Sequence, residues 1–269
     1  MTILKKYVVS LRAILYKWHQ KQKTVFQFLI SLFIHYRISK IELLNTLDQI
    51  QLVGPGSLSI SLMTACFVGF VFTLQVAKEF LYFDAVSLIG AVLTIAFVRE
   101  LSPVLTSVII IGRIGSCFTA ELATMKVTEQ IDALYLLHTD PLIYLVLPRI
   151  LACMIMLPIL NIFSFATSLA GSAFICFALY GIDPVLFFLS SFSSLSFLDI
   201  TKSLVKTIIF GFAISIISCF WGLTAKGGAK GVGQSTTSSV VTCLLTVFIL
   251  DFVLSYLMFS NLESSIKTL

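Results

Sequence analysis

The chain has 269 residues, of which 58% are hydrophobic and only 12% charged, a balance that excludes a soluble globular domain and places the protein in lipid. The formal charge of +5 is not a nucleic-acid signature, because the Lys and Arg residues cluster beside apolar runs instead of interleaving with aromatics on a polar face. Those runs follow one another too closely to leave room for a soluble domain, so a single membrane domain is expected.

The first 23 residues, MTILKKYVVSLRAILYKWHQKQK, alternate short apolar patches with bases. They lack the continuous apolar core and small-residue cleavage site of a signal peptide, and read as a basic segment hugging the membrane surface. Residues 24–52 follow with an apolar run, Val25 to Ile34, too short to cross a bilayer. After it come Ile38, Ile41, Leu44 and Leu47 at helical spacing, which indicates a helix lying in the interface. Gly54-Pro55-Gly56 reads as the break after it, dividing a basic and interfacial region (1–52) from a membrane domain (53–265).

A crossing needs about 20 mostly apolar residues. Such stretches lie near residues 57–77, 86–113, 142–180, 203–224 and 237–260, giving an all-α integral membrane fold of about five transmembrane helices. The third is long enough to be tilted, bent or accompanied by a re-entrant piece, with Pro148 and Pro158 as places to bend. Placing the N-terminus inside puts Lys5, Lys6, Arg12, Lys17, Lys21, Lys23, Arg37, Lys40, Arg113, Lys126, Arg149, Lys226 and Lys230 on the cytoplasmic-type face. Only Lys78, Lys202, Lys206 and Lys267 then fall toward the other.

Between the second and third spans, on the positive side, runs TAELATMKVTEQIDALYLLHTDP, Thr119 to Pro141. Val127, Ile131, Leu134 and Leu137 share one helical face while Lys126, Glu129, Gln130 and Asp132 are directed elsewhere, which indicates an amphipathic cytoplasmic helix. Such a helix either receives motion from a partner or lies on the headgroups. Asp140 and Pro141 read as an N-cap and first-turn proline restarting the third span. Asp183-Pro184 opens a Phe-, Leu- and Ser-rich outer segment that dips into the interface or meets an outer partner.

Arg99, Glu100, Lys206 and Asp251 lie inside, or at the outer margin of, apolar spans, where unpaired charge costs several kcal/mol. Their depths, with alternating span directions, permit one shared cluster. It is either a structural ion-pair network or part of a transport pathway that changes partners between conformations. Adjacent helical residues point about 100° apart, so Arg99 and Glu100 cannot both face one neighbour squarely.

Other candidates carry less. Six cysteines, Cys66, Cys117, Cys153, Cys176, Cys219 and Cys243, stand singly in apolar runs and read as small core hydrophobes. His19, His35 and His138 are too far apart to suggest a metal or nucleophile-base site. Gly228 to Ser235, GAKGVGQS, approaches the phosphate-cradling loop pattern, but Gln234 occupies the lysine position and a membrane span precedes it. It reads instead as a cytoplasmic turn whose Ser235, Thr236 and Thr237 cap the fifth span.

The run Arg99 to Arg149 resembles the MlaE permease family, the membrane subunits of ABC systems that move phospholipids. The blocks R-E-L-x-P-V-L-T, G-R-x-G, A-E-L-x-T-M, T-E-Q-I-D-A-L and D-P occur in order, and G-V-G-x-x-T-T and L-D-F-V-L follow. The resemblance covers roughly residues 40–260. Ser102 and Ala123 stand where the family commonly has glycine and are expected to stiffen local turns. Tyr135 replaces an acidic residue and His138 a small one.

The resemblance implies a permease subunit that is not itself an enzyme and carries no cofactor, with ATP-Mg bound by a separate ABC ATPase. It implies a homodimer, a mammalian-cell-entry-domain lipid-binding partner on the other face, and phospholipid as substrate. Glu121, Met125, Thr128, Glu129, Gln130 and Asp132 would then form the ATPase-coupling helix, and Arg99, Glu100, Lys206 and Asp251 the charge cluster beside the lipid pathway. Two alternatives keep the membrane fold: an ion-coupled secondary transporter, for which no clear internal repeat appears, and an assembly subunit without its own pathway. An intramembrane enzyme would need a nucleophile-base pairing that the sequence does not suggest. Heavy use of Phe, Ile, Lys and Ser, together with the resemblance, favours a plastid-encoded protein of the inner envelope over a bacterial inner-membrane one.

Overall fold

A computed structural model describes residues 43–259, so the basic N-terminal segment and the part of the expected interfacial helix before residue 43 lie outside the described residues, while its remainder, residues 43–52 with Leu44 and Leu47, is continuous with the first long helix. Five helices are long and apolar enough to cross a membrane: Leu43–Tyr82, Val86–Val127, Leu142–Tyr180, Phe197–Leu223 and Gly228–Met258. They are called here the first to fifth spans. Two shorter helices, Gln130–Leu136 and Pro184–Ser194, join the second span to the third and the third to the fourth. No strand occurs among the described residues, as expected where lipid offers the backbone no hydrogen bonds and each helix must satisfy its own.

Apolar surface gains little by leaving lipid for protein, so spans associate by close packing and internal polar contacts. The first span shows how. Its buried positions Val53, Ser57, Ser61, Ala65, Gly69, Thr73 and Ala77 recur every fourth residue, forming one narrow stripe of mostly small side chains against the third span. A Cβ at Gly69 would stand 2.5 Å from the Ser168 carbonyl oxygen, so only glycine permits this approach. Ser61 and Ser164 hydrogen-bond across the seam at 2.7 Å.

The fifth span repeats the device. Gly231, Ser235, Ser239, Cys243 and Val247 are buried at the same four-residue interval, while Val241, Leu245, Phe248, Ile249 and Phe252 are exposed on the far side. The fourth span is the most enclosed. Thr119 ties the second, fourth and fifth spans together, its hydroxyl lying 3.0 Å from the Ser218 carbonyl oxygen and 2.8 Å from Ser239 Oγ, so that it donates to one while it accepts from the Ser239 hydroxyl. Around these seams Val53, Ile111, Phe118, Leu157, Phe210, Ile214 and Val247 fill a core contributed by all five spans. Cys153, Cys176, Cys219 and Cys243 are buried free thiols within the packing.

Three local expectations fail. Gly54-Pro55-Gly56 does not break the chain: the first helix runs through it for 40 residues. Pro55 removes one hydrogen bond of the ladder, and the glycines serve packing instead, Gly54 against Met156 and Gly56 beside the Arg113 guanidinium. Residues 228–237 are not a capping turn either, since the fifth helix begins at Gly228. Thr236 and Thr237 bond back to the carbonyls of Val232 and Gly233, and the turn lies earlier, at Gly227 and Gly228 with φ of 94° and 67°. Ser102 and Ala123 lie within helix, not in turns: Ser102 Oγ donates to Asn161 Oδ1 at 2.6 Å, and Ala123 is buried beside Gly222.

The Asp140 cap appears as its sequence suggests, accepting from Leu142 N at 3.0 Å. The long third helix ends at Gly181, whose φ of 63° is the left-handed conformation that closes helices. Asp183 then caps Pro184–Ser194 by accepting from Val185 N, and Phe187 is buried with Ile89, Leu93 and Cys176. The outer segment is thus a short helix folded onto the bundle.

Candidate functional site

The outer charge cluster starts from a proline. Pro103 has no N–H, and its ring conflicts with the carbonyl four residues back, that of Arg99. The second span answers with a wider π turn over Phe97–Leu101, the Ser102 N–H reaching the Phe97 carbonyl. The Arg99 carbonyl is thereby left for another donor, and Lys206 Nζ supplies it at 2.9 Å.

Lys206 is fully buried. Besides the Arg99 carbonyl, its ammonium meets Glu100 Oε2 at 3.1 Å, Asp251 Oδ1 at 3.0 Å and Ser255 Oγ at 2.7 Å. An ammonium has three N–H donors, so at least one of these four partners shares a proton with another. Ser255 extends the network by donating to Glu100 Oε1 at 2.9 Å. Asp251 and Ser255 continue the four-residue stripe of the fifth span past Val247, which is why they face inward.

Of the four charges singled out in the sequence, Glu100, Lys206 and Asp251 meet directly. The Arg99 side chain turns elsewhere, to Asp199, with contacts of 3.1 and 3.2 Å from Nε and Nη2 to the two carboxylate oxygens. Asp199 and Ser255 escaped the sequence reading. The available signal was spacing: Asp199, Ser203 and Lys206 stand at i, i+4 and i+7 on one helical face. Beside these ion pairs, Ser102, Asn161 and Ser203 form a hydrogen-bonded chain. Two cations therefore face three carboxylates across the second, fourth and fifth spans, and Glu100 keeps 44% of its side chain open.

The inner end differs from its expected form. The second span continues as helix to Val127, then turns at Thr128 and Glu129, whose φ is 60°. Only Gln130–Leu136 forms a separate linker helix, so the expected amphipathic helix is two pieces joined by a left-handed residue. Glu121 and Met125 belong to the end of the span. Thr128, Glu129, Gln130 and Asp132 are exposed on the turn and linker, with Lys126 bridging the turn to Asp132 at 2.9 Å. Of the expected apolar face only Ile131 is buried, while Tyr135, Leu136 and Leu137 stand exposed together.

Glu121 is occupied by the third span. Arg149 Nη2 donates to Glu121 Oε2 at 2.8 Å, and the guanidinium lies 5.2 Å from the Phe118 ring centroid, within cation–π range. Arg149 was assigned to the positive face by sequence but not to a site. Arg113 similarly donates to Ser57 Oγ at 2.8 Å, in the space left by Gly56.

Comparison with known proteins agrees with the motif order. Residues 46–257 match the family described as permease MlaE. The chain is 58% identical over 250 residues to a probable ABC transporter permease protein of Porphyra purpurea, covering 93% of this chain and 95% of that one. A probable ABC transporter permease protein of Synechocystis is 50% identical over 90% of this chain and 92% of its own. The chloroplastic protein TRIGALACTOSYLDIACYLGLYCEROL 1 of Arabidopsis thaliana is 47% identical over 85% of this chain and 65% of its own.

Proposed function

Because the chain belongs to the MlaE permease family, we propose that it is the membrane subunit of an ABC transporter that moves phospholipid or a related lipid, driven by a separate ATPase chain. The carrying observation is the continuity of the second span. One run of helical turns, Val86–Val127, holds Arg99 and Glu100 at the outer cluster and ends at the exposed turn and linker helix. Glu100 and Val127 are about 40 Å apart along such a rod, so a push at the linker reaches the outer cluster without an intervening loop.

On this reading the ATPase docks against Tyr135, Leu136 and the acidic residues Glu129 and Asp132. Nucleotide binding there shifts the permease between inward and outward arrangements, and the outer carboxylates exchange their shares of Lys206 as the fifth span moves against the second. The open side of Glu100 and the exposed apolar face of the fifth span suit a cavity between two copies, and a mammalian-cell-entry-domain protein would receive lipid at the outer face. The chloroplastic and cyanobacterial relatives support a plastid inner envelope, with a bacterial membrane as the alternative.

The test is ATP hydrolysis and lipid transfer by the reconstituted complex. Glu129→Lys with Asp132→Lys is expected to reduce lipid-stimulated hydrolysis at least tenfold while the complex still folds; unchanged hydrolysis and ATPase binding would sink the proposal. Lipid movement that persists without the ATPase would instead indicate an ion-coupled transporter. Mass spectrometry of co-extracted lipids identifies the substrate class.

A further inference from the structure

Two arginines lie within the length of the second span, each in a π turn: Arg99 in Phe97–Leu101 and Arg113 in Ile111–Gly115. Such turns recur at functional sites. Arg99 is paired with Asp199, and Arg149 of the third span with Glu121. Arg113 has no carboxylate partner among the described residues. Its Nη1 donates to Ser57 Oγ at 2.8 Å, one bond for a group with five N–H donors. Gly56 leaves the guanidinium room, since a Cβ there would stand 3.1 Å from Nη2. Nε and Nη2 have no partner among the described residues and are not sealed within the protein; Gly56 and Gly112 beside them are exposed.

The sequence sets Arg113 at the inner end of a span, but the helix continues about 21 Å beyond it to Val127. Along this rod Glu121, in the inner ion pair, is about 12 Å inward, and Glu100, in the outer cluster, about 20 Å outward. Helical side chains tilt toward the N-terminus, which for the second span is the outer end, so Arg113 leans away from the inner headgroups and toward the hydrocarbon. An uncompensated charge is costly at that depth. Water would solvate the open donors and leave the charge standing. A second copy does not neutralise it either, because a two-fold axis along the membrane normal keeps every residue at its own depth. The described carboxylates all lie about 12 Å or more inward or outward of Arg113.

We propose that Arg113 binds the anionic phosphate of a lipid on its way through the permease. The open Nε and Nη2 form a planar fork that matches two phosphate oxygens. The first span supplies a surface for the acyl chains: Gly56, Ile60, Met63, Phe67 and Val71 recur at intervals of three and four residues on one helical face, and all are exposed. This apolar stripe leads outward from the guanidinium, so a lipid bound there has its headgroup inward of its tails, the orientation of the inner leaflet. The assignment rests on reading the chain as a lipid permease. It gives that pathway a station between the inner face and the outer cluster, whichever way the lipid moves.

The experiment follows thermal unfolding of the purified, delipidated chain in a neutral detergent, with phosphatidic acid, diacylglycerol of the same acyl chains, or glycerol phosphate added. Phosphatidic acid is expected to raise Tm by about 5 °C, as for a site occupied well above its Kd, and diacylglycerol to leave it unchanged. Arg113→Gln should unfold no earlier than the parent without lipid, since it removes an uncompensated charge, and should lose the rise. Earlier unfolding or failure to fold would make Arg113 structural and overturn the proposal, as would no rise in the parent or an equal rise in the variant. An equal rise with glycerol phosphate overturns the lipid as occupant and assigns the site to a soluble phosphate ester. In the reconstituted complex Arg113→Gln should slow lipid transfer at least tenfold, and unchanged transfer removes Arg113 from the pathway. Absence of transfer by the parent complex would sink the permease reading itself, while the unfolding shifts still decide whether Arg113 binds a lipid phosphate.

Discussion

The outer and inner charged sites both join the second span to a neighbour, yet they solve the same problem differently. Lys206 at the outer end is fully buried and surrounded by acceptors, one of them a carbonyl released by Pro103. Arg149 at the inner end pairs with a Glu121 side chain that is 41% exposed, and its Nη1 has no hydrogen-bond partner among the described residues. The outer site has more partners than protons, the inner one more donors than partners. The first arrangement can exchange bonds internally as helices shift; in the second the carboxylate is open to water.

The largest test of that contrast is Lys206→Met. It leaves Glu100, Asp251 and the Arg99 carbonyl without their shared donor, and a loss of about 3–5 kcal/mol in unfolding free energy is expected. Asp251→Leu on the same background should recover part of it, measured as a double-mutant cycle; additive losses would show that the two act separately. Gly69→Ala, in the seam between the two ends, should cost about 1–3 kcal/mol through overlap with Ser168 while leaving the difference between the sites intact.

Arg149→Met is expected to cost less, about 1–2 kcal/mol, because the Glu121 carboxylate can take water in its place. A loss as large as that of Lys206→Met would erase the distinction between the ends. Smallest is Lys126→Met, which breaks only the exposed pair with Asp132 and should change thermal stability by less than about 1 kcal/mol. Gly112→Ala gives a matched control, since a Cβ there meets nothing within 4 Å.

What could be read from the residues depended on how local each feature is. Asp140 before a proline is a short-range capping signal, and it caps. Gly54-Pro55-Gly56 carries an equally local breaking signal but lies inside a helix, because Met156 and Arg113 occupy the space the glycines leave. The segment after Gly228 likewise looked like a turn, and lipid and packing extended the helix through it. The small residues repeating every fourth position in the first and fifth spans were visible in the sequence. They mark an interface only once a neighbouring helix is placed against them.

By itself, the sequence determined that this is a five-span helical membrane protein, since long apolar runs have no other stable form in hydrocarbon, and its ordered motifs identified the family. It also showed which charges were too costly to stand alone. Tertiary structure alone decided the partners: Asp199 for Arg99, the released carbonyl for Lys206, and Arg149 for Glu121. The reason is geometric, because a span's sequence sets the depth of a charge and its face on the helix. What meets that face depends on how the other spans are turned.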